Sequence, residues 1–213
     1  MKRIVSAGIF TSVLLLSACS GPAAGEQLDA VLNDTFDAEK EYRETQKKME
    51  ELEKDEQQLF ESIMALTQEQ QDEVDSKAEE ALASAQERLE LLAAEKESMG
   101  NAQENFKEID TVIAETDDDQ LKKELGSLKE KMQERFDAHG QFTEAYETLN
   151  GLQQELYTML MDEETELKTM QEKALEVNKQ NTAVQDAVTA FNNSTEQFNE
   201  MKNQILDNLK EKE

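Results

Sequence analysis

A chain of 213 residues carries 49 acidic against 22 basic side chains, a formal net charge of −27. That balance argues against a nucleic-acid partner, whose phosphates it would repel, and against a face lying flat on anionic lipid. The single cysteine leaves no intramolecular disulfide, so the fold must be held by core packing.

The chain opens with Met1, Lys2 and Arg3, a short positive segment, followed by a mostly apolar run from Ile4 to Leu16. That length suits the apolar core of a secretory signal; a membrane-spanning helix needs about 20 apolar residues. Leu16, Ser17, Ala18 and Cys19 follow as an aliphatic residue, two small residues and a cysteine, the layout of a bacterial lipobox. Small Ser17 and Ala18 fit a signal-peptidase cleft, and Cys19 supplies the thiol that takes diacylglycerol. A lone thiol in a secreted protein is otherwise a liability. Residues 1–18 are therefore expected to be a cleaved lipoprotein signal peptide. Cys19 then anchors the chain to the extracytoplasmic face of the cell membrane, and two acyl chains meet the requirement for stable anchoring. Loss of Lys2 and Arg3 shifts the net charge from −27 to −29.

Residues 19–25 hold small side chains and the only proline, Pro22, and are expected to form a flexible tether behind the lipidated cysteine. Beyond them no proline breaks a helix, and Glu, Gln, Lys, Leu, Ala and Met dominate, all good helix formers. Low apolar content with high net charge is a signature of disorder, but the periodicity overrules it.

Apolar positions alternate steps of three and four in four segments: Leu28 to Leu66, Val74 to Ile113, Leu121 to Leu160, and Leu167 to Leu209. In the first, Leu32, Phe36 and Phe60 widen the stripe. This is a heptad seam, which must be buried against other helices. Helix-start chemistry marks the breaks. Thr67 with Gln70 fits a capping box, and so does Thr116 with Asp117, Asp118 and Asp119; Asp162, Glu163 and Glu164 suit the start of the fourth helix. Gly100, Gly126, Gly140 and Gly151 lie inside segments, as bends or close helix contacts. Residues 26–213 are expected to form a single all-α domain, an elongated antiparallel up-down-up-down four-helix bundle with coiled-coil-like packing, a rod about 60 to 65 Å long. The seams also allow a longer coiled coil assembled between chains.

The lipobox, the acidic helical body, its length, and the stretch Leu59 to Thr67 (Leu-Phe-Glu-Ser-Ile-Met-Ala-Leu-Thr) resemble the YkyA-type lipoproteins of Gram-positive bacteria, whose family label is cell-wall binding. The resemblance covers essentially the whole chain. It implies an up-and-down four-helix bundle at the cell envelope. It supplies no activity and no site residues beyond the anchor.

Candidate chemistry is sparse. His139, the only histidine, falls on the third seam. A di-metal bundle site would pair it with a glutamate three residues earlier, and Phe136 stands there, so a core histidine bonded to a neighbour is the expectation. Arg88, Glu95, Arg135, Gln153, Asn181 and Lys202 also sit on seams, where buried polar groups specify register or line a polar pocket. The Asp117, Asp118 and Asp119 run lacks the alternating ligands and glycine of a calcium loop. No Gly-x-Ser-x-Gly elbow and no phosphate-binding glycine loop occur. No catalytic residue, metal site or cofactor is expected. The function expected is a non-enzymatic wall-binding or spacer module, its contact with anionic wall polymer assisted by cations. The alternative is a helix-mediated scaffold or regulator that recruits an envelope protein partner.

Overall fold

A computed structural model describes residues 24–211, and among these every regular element is helical. Leu16, Ser17, Ala18 and Cys19, the expected anchor region, lie outside the described residues. Six α-helices follow in order: α1 (Ala24–Ala38), α2 (Lys40–Met64), α3 (Gln71–Phe106), α4 (Ile109–Glu115), α5 (Asp119–Met161) and α6 (Leu167–Lys210). A single 3-10 turn, Gln68–Gln70, leads into α3. Ala24 and Gly25, expected in the tether, already belong to α1, where a Cβ on Gly25 would meet the Leu209 side chain at 3.7 Å.

The four expected segments are the four rods of the bundle: α1 with α2, α3 with α4, then α5, then α6. At about 1.5 Å per residue, the 43 residues of α5 and 44 of α6 span about 65 Å each. The turns carry the expected chemistry, with one shift. Gln70 turns its side-chain oxygen back to accept the Thr67 backbone N–H at 3.2 Å. At α5 the cap is Asp118, accepting from the backbone of Gln120 and Leu121 at 2.8 and 3.1 Å, whereas the Thr116 hydroxyl donates back to Val112. The third break is a true turn over residues 162–166: Asp162 accepts the Glu164 N–H at 3.0 Å, which separates α5 from α6.

Rods one and two bend where no proline or glycine stands. Between α1 and α2 the cause is Ser98 on α3. Its hydroxyl donates to the Ala38 carbonyl at 2.7 Å and accepts from the Tyr42 N–H at 3.1 Å. Those two groups would otherwise bond each other, so the hydroxyl is inserted into the helical ladder, a known cause of kinks. Glycine is not the cause of either bend. Gly100, Gly126, Gly140 and Gly151 lie within unbroken helix, and a Cβ on any of them would meet nothing within 4 Å.

The first three seams are buried much as the periodicity requires, from Leu28 through Ile63, from Val74 through Ile109, and from Leu121 through Leu156. Phe36, assigned to the widened stripe, is instead 57% exposed, with its ring capped by the Arg43 guanidinium 3.7 Å from the centroid. The fourth seam departs further. Val184, Phe191, Phe198 and Ile205 are buried, but no residue of α6 before Val184 is, and Leu167 is 67% exposed. At one end of the rod all four segments close on a common core of Leu28, Ile109, Leu125, Leu128, Phe198 and Ile205. At the other, Ile63, Val74, Ala78, Ala81 and Tyr157 form a core of α2, α3 and α5 alone. The first half of α6 lies against α5 and stands apart from α2.

Candidate functional site

The gap between α2 and the first half of α6 is a lateral groove of about 1100 Å³, floored by α5 and by Arg88 of α3. Its floor is a buried polar cluster. Arg88, on a seam with its side chain sealed from solvent, pairs with Glu56 of α2. Its Nη1 donates to the Tyr146 hydroxyl at 3.2 Å, and both terminal nitrogens reach the Gln153 Oε1 at 3.3 Å. The Tyr157 hydroxyl donates to the second Glu56 oxygen at 2.8 Å, and the Tyr146 hydroxyl donates to Met49 Sδ at 3.2 Å. One donor is left over, the buried Arg88 Nε.

Burial pushes the Glu56 carboxyl above the ordinary carboxylate range, against the opposing pull of Arg88 and the Tyr157 hydrogen bond. Burial likewise raises the Tyr146 and Tyr157 phenols, so both stay protonated donors at neutral pH. Every member of the cluster is therefore committed to another member. Apart from the Arg88 Nε, the arrangement is a connected polar network that fixes three helices in register and presents a rigid surface to the groove.

A second buried set sits at the α1–α2 bend. Arg135 of α5 holds Glu39, the residue at the bend, through Nη1 at 2.5 Å and Nη2 at 2.9 Å, and its Nε donates to Thr195 of α6 at 3.1 Å. Glu95 accepts from Gln46 at 2.8 Å and bonds His139 Nε2 at 2.7 Å. His139 is a core histidine ringed by Tyr42, Phe142 and Phe191. Burial pushes the Tyr42 phenol up to about 12, with the Glu95 charge adding to it.

The structure thus gathers Arg88 and Gln153 at the groove, and Glu95, Arg135 and His139 in the second set. Asn181 is exposed on the groove wall, and Lys202 stands apart, bonded to Asn199. Among the described residues no group of three His, Cys, Asp or Glu is placed to hold a metal, and Asp118 is spent on its cap. Sequence reasoning missed Glu39, Ser98 and Asn150. Asn150 is fully buried and donates to the Ala85 carbonyl at 2.9 Å. All three lie one place off a seam, and only their polarity beside a seam residue marks them.

The fold and its groove define the class: an elongated antiparallel helical bundle, closed at one end and grooved along its side at the other. Residues 23–208 match the family YkyA, described as "Putative cell-wall binding lipoprotein", and the chain belongs to that family. It is 24% identical over 204 residues, 95% of this chain and 92% of the relative, to "Uncharacterized lipoprotein YkyA" of Bacillus subtilis (strain 168). A crystal structure of a conserved protein of unknown function from Staphylococcus aureus superposes with a TM-score of 0.73 at 17% identity, covering 84% of this chain and 88% of that one; it shares the fold. Among the described residues no helix is long and apolar enough to cross a membrane.

Proposed function

We propose that this chain is a lipid-anchored envelope protein, tethered through Cys19 on the extracytoplasmic face, that binds cell-wall material without catalysing a reaction. The observation that carries this reading is the groove with its pre-organised floor, on a rod that projects about 65 Å from its tether. The family description adds its support. Glu56, Tyr146 and Tyr157 hold one another and Arg88, which suits a binding platform and leaves none of them as a general base. The strong negative charge opposes anionic wall polymers, so contact with them requires bridging cations.

Two measurements test this. Cys19→Ser should move the protein from the membrane fraction to the soluble fraction and abolish labelling by radioactive glycerol; retention of both would remove the anchor. Purified protein should pellet with isolated walls, and a chelator should weaken the interaction. Equal pelleting with and without chelator across salt would remove the cation bridge. A second reading, recruitment of a partner helix, draws on exposed Leu167 and Leu175 along α6 and Met64 at the end of α2. Crosslinking in intact cells through those positions should capture a protein under that reading and wall fragments under the first.

A further inference from the structure

We propose that the groove between α2 and α6 is the binding site for an uncharged, N-acetylated oligosaccharide. This inference rests on the groove being the working surface of the protein. Three observations point to the ligand class.

The first is the state of the amides. Arg88 has only donors, so its bonds to Gln153 Oε1 forbid the flipped amide and leave the Gln153 NH2 as a fixed donor without a protein partner. On the facing α6 wall, the side-chain amides of Asn178, Asn181 and Gln185 line the groove and form no hydrogen bond among the described residues. Asn181 stands on the seam itself, with Asn178 and Gln185 beside it, all three exposed, an arrangement suited to a hydroxyl- and amide-bearing ligand.

The second is charge. The cations of the groove are engaged: Arg88 with Glu56, Arg43 with the Phe36 ring and carbonyl, and Lys47 with Glu51 at 3.8 Å. On the α2 wall Glu50 forms no ion pair among the described residues, and Glu53 places its carboxylate beside Arg88 and the Tyr146 hydroxyl, with which it hydrogen-bonds. They accept hydrogen bonds from hydroxyl groups and repel phosphate or carboxylate polymers. The groove itself therefore favours a neutral chain, and anionic polymer meets the protein only through bridging cations.

The third is shape. From Arg43 to Phe60 the α2 wall runs about 25 Å, an open length that admits a linear oligomer. Apolar Leu149 and Val184 line the same space as the amides, a match for the methyl and the N–H and C=O of an acetamido group.

The test titrates the β-1,4-linked N-acetylglucosamine tetramer into the detergent-solubilised full chain and follows side-chain amide resonances by NMR. Shifts should appear at Gln153, Asn178, Asn181 and Gln185. Asn181→Leu combined with Gln185→Leu, both exposed positions that leave the fold intact, should weaken binding about tenfold or more, as loss of one or two net hydrogen bonds requires. Three results would overturn the proposal: silence at the groove, an equal response to the deacetylated tetramer, or a response to a neutral peptide in place of the sugar. Wall pelleting of the same double variant separates this inference from the reading beneath it. Undiminished pelleting with a silent groove removes the groove and leaves wall binding; sugar binding without pelleting does the reverse.

Discussion

The two ends of the rod solve one problem in opposite ways. Where α1, α4 and the last turns of α6 meet, four segments close on a dry core in which Leu28, Ile109 and Leu128 are fully buried and Phe106 meets Phe198 edge to face. At the other end three segments pack through small Ala78, Ala81 and Ala85, and the fourth leans away. The space it leaves is floored by Arg88, Glu56 and two tyrosines. A closed apolar core gains from every methylene it buries. An open groove requires a floor that holds its shape without a fourth helix above it, and a buried polar network does this at some cost in stability. The difference marks the closed end as the foundation and the grooved end as the surface available to a ligand.

The comparison can be broken most strongly at Arg88. Arg88→Met leaves Glu56 buried without its cation and should cost about 3–5 kcal/mol at neutral pH, read from urea unfolding. Burial already places the Glu56 carboxyl above its ordinary range, and removal of the cation raises it further. The folded variant then takes up the proton before the unfolded chain does. Its deficit relative to wild type should therefore shrink as pH falls through the variant's raised range, and level off once wild-type Glu56, itself raised, is protonated as well. A pH-independent deficit would show that Glu56 is not the group left behind.

The closed end answers to cavity formation. Leu128→Ala should cost about 2–5 kcal/mol with no dependence on pH in the same window. Ser98→Ala removes the hydroxyl that bridges Ala38 and Tyr42 and should cost about 1–3 kcal/mol, unless the ladder rejoins. Rejoining would straighten rod one and appear as a longer particle in small-angle scattering. Asp118→Ala should cost about 1 kcal/mol through loss of the α5 cap. Leu175→Ala, on the exposed face of α6, should stay within about 0.5 kcal/mol, and a larger loss would mean that this half of α6 is covered in solution.

Much of this architecture is legible in the residues themselves. The heptad spacing marks the four rods, and Thr67, Asp118 and Asp162 mark the turns between them. Arg88, Glu95, Arg135 and His139 announce buried polar seams by their positions. Their pairings are not legible, since Arg88 and Glu56 lie 32 positions apart, and Arg135 and Glu39 are 96 apart. Glu39 and Ser98 lie off the seams and carry only the weak signal of polarity beside a seam residue, because a hydroxyl inserted into another helix's ladder is a property of the pair of helices.

That this chain is helical, where its helices start and which faces are apolar follow from residue spacing and local hydrogen-bond chemistry. Which apolar faces find partners follows from how the rods pack. Leu167, Met170, Ala174, Val177 and Asn181 obey the same spacing as the buried seams, yet none is buried, and Ala174, Val177 and Asn181 border a groove. Periodicity specifies a face to be covered, and the register and bend of the neighbouring rods decide whether a helix covers it or the space is left for another molecule.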